Sequence, residues 1–228
     1  MKERGVFEEK SNWNVLKLLK IRASEYGDKE FIKFNSGKSL SFKSLDDLSD
    51  QLAHKLLDMG LKEDENVFCL LKNRPEFLIS LFAVMKIGAI FVPINTELRG
   101  QFLEHQFLNS EPRIAIIDND LLEVFTDIKA QKKMLKGTII TDNFDKELLP
   151  SALHAEETLS FQYCFESISN LSDFSLLKSV SIHKTCAIMY TSGTTGPSKG
   201  VLLPHGHFFS YSIISAEAAD FSNKDIQY

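Results

Sequence analysis

A chain of 228 residues, 43% hydrophobic and 25% charged, can bury one large core or two small ones, which excludes a disordered or low-complexity polymer. A formal net charge of −5 gives no electrostatic case for binding nucleic acid or an anionic membrane surface. The longest apolar run, residues 77–93, is interrupted by Lys86 and Gly88, so no transmembrane segment is expected. The start MKERGVFEEKSNWN has neither an apolar stretch nor a small-residue cleavage site, and the expected location is cytoplasmic.

In chain order, residues 14–26 carry Val15, Leu16, Leu19 and Ala23 at helical spacing, with Ser11 or Asn12 as candidate cap and Gly27 as stop. Residues 30–34 and 39–42 flank the turn-rich Asn35-Ser36-Gly37-Lys38 and predict a hairpin. A helix over residues 43–59 follows, with Leu45, Leu48, Leu52 and Leu56 on one face and Gly60 at its end. The continuous apolar run 66–71 predicts a buried parallel strand. Pro75 suits the first turn of the next helix, which Gly88 ends. Further strands are expected at 89–93, 113–118 and 137–141, with helices at 99–109 and 121–134 between them. Strands alternating with helices predict a wound α/β fold with mainly parallel sheets and flanking helices.

Residues 143–184 lose this rhythm and predict a connecting segment with a short helix. Residues 1–142 are then a first α/β sheet subdomain, and residues 185–228 begin a second sheet, with strands at 185–190 and 201–203 and a helix at 208–219. Cys69, Cys164 and Cys186 are far apart, and no Cys or His spacing fits a metal site, so the thiols are expected reduced and buried. His105 falls on a polar helix face and is expected in solvent.

Between the last two strands stands Y-T-S-G-T-T-G-P-S-K-G, residues 190–200. Gly193 and Gly196 lack a Cβ, so their backbone amides can approach a ligand closely. Thr191, Ser192, Thr194 and Thr195 add hydroxyls, and Lys199 adds a cation. Polyphosphate calls for this combination of many donors, small side chains and one positive charge. It is not a Walker A loop, because Ser198 rather than glycine precedes the lysine and Gly200 rather than Ser/Thr follows it.

The ordered string resembles the signature phosphate loop of the adenylate-forming superfamily, [YF]-T-S-G-T-T-G-x-P-K-G. That superfamily spans acyl-CoA synthetases, aryl-CoA ligases, luciferases and peptide-synthetase adenylation domains. The match departs at Ser198, where proline is usual; Pro197 stands one place earlier. Ser41-Phe42-Lys43-Ser44-Leu45, Asn73-Arg74-Pro75-Glu76-Phe77, the segment 86–95 and Val201-Leu202-Leu203-Pro204-His205 resemble further landmarks of the same enzymes. Residues 93–100, PINTELRG, look most like the carnitine/crotonobetaine–CoA ligase branch.

The resemblance implies an AMP-forming ligase that uses ATP with Mg²⁺ to turn a carboxylic acid into an acyl-adenylate, and CoA as the acyl acceptor. It places the β- and γ-phosphates against Thr191, Ser192, Gly193, Thr194, Thr195, Gly196 and Lys199, with Lys199 as the catalytic counter-charge. It sets His205 near the family's Thr-His corner; the residue's own expected part is structural, capping the next helix. The resemblance puts the acyl pocket, the adenine and ribose contacts and a C-terminal catalytic lysine beyond Tyr228, so the 228 residues alone are expected to be inactive. A carrier-protein thiol as acceptor and a non-catalytic fragment remain the alternatives.

Overall fold

The computed structural model describes residues 9–10, 13–128, 134–142, 153, 158–166, 180–191 and 197–221. Its centre is one seven-stranded sheet built from β3 (Asn66–Leu70), β4 (Ile90–Pro93), β5 (Ile114–Ile117), β6 (Gly137–Ile140), β7 (Thr158–Ser160), β8 (Thr185–Thr191) and β9 (Lys199–Pro204). The order across the sheet is β7-β6-β5-β3-β4-β8-β9, parallel throughout except for the antiparallel β8–β9 pair. A separate two-stranded hairpin, β1 (Glu30–Lys33) with β2 (Ser39–Ser41), stands where the turn residues predict one.

Strand alternation splits the core into two layers. Val67, Cys69, Ile114 and Ile116 face α1 (Val15–Tyr26), α2 (Phe42–Asp58) and α3 (Pro75–Ile87). Phe68, Leu70, Ala115 and Ile117 face α4 (Gly100–Ser110) and α5 (Leu122–Thr126). Both faces are covered, which is why β3 and β5 read as unbroken apolar runs. On the second face Phe107 packs edge-on against Phe68 at 5.1 Å and against Phe125 at 5.9 Å, fixing α4 to the sheet.

Local chemistry sets the element ends. Asn14 caps α1, its side chain accepting from the Leu16 amide at 2.8 Å; Ser11 and Asn12, the expected caps, lie outside the described residues. Ser41 and Ser44 form a reciprocal capping box that starts α2. Gly88 closes α3 at φ +79°, a left-handed position that other residues resist.

Two ionic clusters tie the layers. Lys86, on α3 and almost wholly buried, donates to the Asp46 carboxylate at 2.7 Å, to the Asp46 carbonyl at 2.9 Å and to Asp50 at 2.5 Å. At the carboxyl ends of β3, β5 and β6, the fully buried Asp118 accepts from the Lys72 amide, Arg74 and Thr141. Arg74 also pairs with Asp142 at 2.8 Å, and that hydrogen bond holds the Asp142 carboxyl below the usual range. The carboxyl-end rim between β3 and β5, a common ligand position in α/β sheets, is therefore occupied by this lock.

The structure departs from the sequence reading in four places. β8 and β9 do not start a second sheet; Cys186 and Ala187 are apolar and buried, and β8 lies parallel to β4 through Phe91 and Ala187. The connecting segment contributes β7, parallel to β6, and α6 (Tyr163–Glu166). In place of one helix over 121–134, a 3-10 turn at Asn119–Leu121 runs into the short α5; residues 129–133 lie outside the described residues. The last helix, α7 (His205–Ala218), begins three residues earlier than its apolar spacing suggests.

Candidate functional site

The β8–β9 hairpin carries the candidate phosphate loop. Its register pairs Thr191 with Lys199 and Tyr190 with Gly200, so the loop joins two adjacent strands. Ser192, Gly193, Thr194, Thr195 and Gly196 lie outside the described residues. Thr191 and Lys199, the two described members of the expected phosphate-binding set, come together as cross-strand neighbours, and both are exposed. Lys199 belongs to β9 itself, one strand residue deep, and among the described residues it has no ion-pair partner.

Alternation along the hairpin separates its two sides. Ile188 and Tyr190 pack against the second core layer, whereas Met189, Thr191, Lys199 and Val201 face outward. Gly200 sits beneath this packing. A Cβ there would meet Ile188 Cγ2 at 2.8 Å, closer than real contacts allow, so the glycine of the Lys-Gly pair serves the approach of β9 to Ile188 and the Tyr190 ring.

Helix α4 supports both arms of the loop. The Tyr190 hydroxyl donates to Asn109 Oδ1 at 2.8 Å and lies 3.2 Å from the Gln106 carbonyl. On the returning arm Gln106 Nε2 donates to the Ser198 hydroxyl at 3.0 Å, and His105 Nε2 donates to the Ser198 carbonyl at 3.0 Å. His105 is thus half-buried and engaged rather than solvated, because the C-terminal half of its helix faces the hairpin. The sequence reading did not single out His105, Gln106 or Asn109 for the site. One signal was present: Gln106 is a polar residue in the core-facing stripe between Leu103 and Phe107.

His205 does not form the expected cap on α7. Its ring is fully buried, and among the described residues neither nitrogen has a hydrogen-bond partner. Burial pushes its pKa down from 6.5 to about 4. Below pH 6.5 the unfolded chain takes up a proton that the folded chain refuses until about pH 4. Stability should therefore fall as the pH drops through that window, by about 1.4 kcal/mol per unit and about 3 kcal/mol in all. Urea unfolding at pH 7.5 and pH 5 should show this slope, and His205→Phe should remove most of it; an unchanged slope in the variant would assign the loss to other groups.

Among the described residues no group of three or more His, Cys, Asp or Glu converges as a metal site, and no helix is long and apolar enough to cross a membrane. Cys69, Cys164 and Cys186 are all buried.

Residues 19–226 match the family described as AMP-binding enzyme. The chain is 28% identical over 189 residues to a crotonobetaine/carnitine–CoA ligase of Salmonella agona (strain SL483), covering 80% of this chain and 35% of that protein. It is 26% identical over 191 residues to a linear gramicidin synthase component of Brevibacillus parabrevis, covering 83% of this chain and 2% of that protein. The fold superposes on a long-chain-fatty-acid–CoA ligase from Archaeoglobus fulgidus with a TM-score of 0.75 at 22% identity, over 93% of this chain and 41% of the other. The chain thus spans about a third of the length of the ligase relative it matches. With a family match running almost from end to end, the chain belongs to the AMP-binding enzyme family.

Proposed function

We propose that this chain supplies the pyrophosphate-holding part of an ATP-dependent, AMP-forming acid–thiol ligase of the cytoplasm. The observation that carries the reading is the hairpin: an exposed threonine and an exposed lysine, the latter without an ion-pair partner among the described residues, brought side by side at the mouth of a loop of Gly, Ser and Thr. In the proposed first half-reaction a carboxylate oxygen bonds to the α-phosphorus of ATP and the α–β anhydride breaks. Pyrophosphate leaves against the hydroxyls and amides of Thr191, Ser192, Gly193, Thr194, Thr195 and Gly196, with Lys199 neutralising its charge. Mg²⁺ would supply further charge neutralisation on the phosphates; with no acidic cage among the described residues, it fits as an ion carried by the nucleotide. In the second half-reaction the CoA thiol attacks the acyl carbon, AMP departs and the thiol proton is released.

A carrier-protein thiol as acceptor is the second reading, favoured by the likeness to a gramicidin synthase. The deciding experiment takes the protein carrying this segment at the full length of the ligase relatives. ATP–pyrophosphate exchange is measured with a panel of carboxylic acids, and the adenylate is then offered CoA or a phosphopantetheinylated carrier. Acid-dependent exchange followed by thioester on CoA is the expected result. Exchange with transfer only to the carrier would establish the second reading, and absence of exchange with every acid would overturn the proposal.

A further inference from the structure

We propose that His105 and Gln106 are positioning residues that set the phosphate loop from the neighbouring helix; the inference rests on the phosphate role given above to Thr191 and Lys199. Residues 105–109 form little more than one turn of α4, and that turn grips both arms of the loop. Tyr190, immediately before Thr191, is held through Asn109 Oδ1 and the Gln106 carbonyl at 2.8 and 3.2 Å. Ser198, immediately before Lys199, is held through its hydroxyl by Gln106 and through its carbonyl by His105, both at 3.0 Å.

Three features separate this from ordinary surface contact. Gln106 is only 5% exposed, and its Oε1 has no hydrogen-bond partner among the described residues. A buried amide with half its capacity unmet is a poor core residue, so its bond to Ser198 is the one described use of its polarity. The Ser198 carbonyl can only accept, so His105 Nε2 carries the hydrogen of the clamp. Finally, proline in place of Ser198 would restrain φ by its ring, whereas serine leaves the backbone free. The two bonds to Ser198 supply from outside the restraint that the residue itself lacks, one peptide from the lysine that must meet the departing charge. The helix making them is pinned to β3 and α5 through Phe107, so the arm is referenced to the rigid centre of the sheet.

The test has a nucleotide-free arm and a kinetic arm. In this 228-residue chain, hydrogen–deuterium exchange is followed at Lys199, Gly200 and Val201 in the parent and in Gln106→Leu, His105→Phe and Ser198→Ala. Each variant is expected to speed exchange about 3–10-fold, as loss of one hydrogen bond implies. Gln101→Leu, the same change on the exposed side of α4, should leave it unaltered. Adding Ser198→Pro to Gln106→Leu should bring exchange back toward the parent rate.

In the full-length protein, KM for ATP should rise about 3–10-fold in Gln106→Leu and fall again in the proline double variant. Thioester formation from preformed acyl-AMP should stay at the parent rate. Unchanged exchange, or a loss of both half-reactions in parallel with melting temperature and without rescue by proline, would overturn the proposal. If the full-length parent shows no ATP-dependent activity at all, the functional reading fails by itself, and the exchange arm still decides whether α4 sets the loop.

Discussion

Replacing Lys199 with alanine in the full-length protein is expected to lower ATP–pyrophosphate exchange by about 10²–10³-fold, the usual cost of removing one group aimed at charge that develops in a transition state. Thioester formation from preformed acyl-AMP should change by less than about 3-fold, because pyrophosphate has already left. The asymmetry follows from placement. Lys199 is exposed beside Thr191 and shares no ion pair among the described residues, so its removal strands no buried carboxylate and the fold should keep its melting temperature. Both half-reactions are measured on the same preparation. Equal losses in the two would remove Lys199 from the leaving-group role, and a fall in melting temperature would convert the effect into one of stability.

Truncating Lys86 is expected to be the most damaging single change to the fold. Its side chain is 2% exposed and its ammonium is the shared partner of Asp46 and Asp50, whose side chains are 6% and 15% exposed. Lys86→Ala leaves two acidic groups facing each other between α2 and α3, with Lys20 reaching Asp46 only from the exposed side at 3.3 Å. Breaking a buried pair from one side costs about 3–5 kcal/mol, a large share of a domain's stability.

The sign of the pH effect is also fixed. Burial already pushes the Asp50 pKa up even with Lys86 beside it, and removing the lysine should raise it further. In the variant the folded state then binds protons that the unfolded state releases, so the deficit should be greatest near neutrality and shrink as the pH falls into the carboxylate range. Urea unfolding of the parent, Lys86→Ala and the triple variant Lys86→Met with Asp46→Asn and Asp50→Asn checks this. The triple variant should be more stable than the single one. A penalty below about 1 kcal/mol for Lys86→Ala, or one independent of pH, would mean that water reaches the site and screens it.

The centre of the parallel sheet was legible because β3 and β5 are buried on both faces and write continuous apolar words, Val67–Leu70 and Ile114–Ile117. The helix ends were partly legible because Pro75 and Gly88 act through their own backbones. β7 was not. Its three residues Thr158–Ser160 include one buried side chain, Leu159, and pairing on one edge asks little of composition. Nor could the sheet membership of β8 be read, since its partner Phe91 lies far earlier in the chain. At the site, the loop string is visible because glycines, hydroxyls and a lysine meet a local demand. The hold of α4 on Ser198 and Tyr190 is tertiary, and the only trace of it in the sequence is Gln106 among apolar neighbours.

The β8–β9 hairpin joins the sheet through a single registered pair, Phe91 with Ala187, at the point where parallel pairing gives way to antiparallel. Mechanically this is a seam. With one backbone pair at the seam, the far end of the two arms is tied to the body of the sheet through side chains instead: α4 holds them at Tyr190 and Ser198.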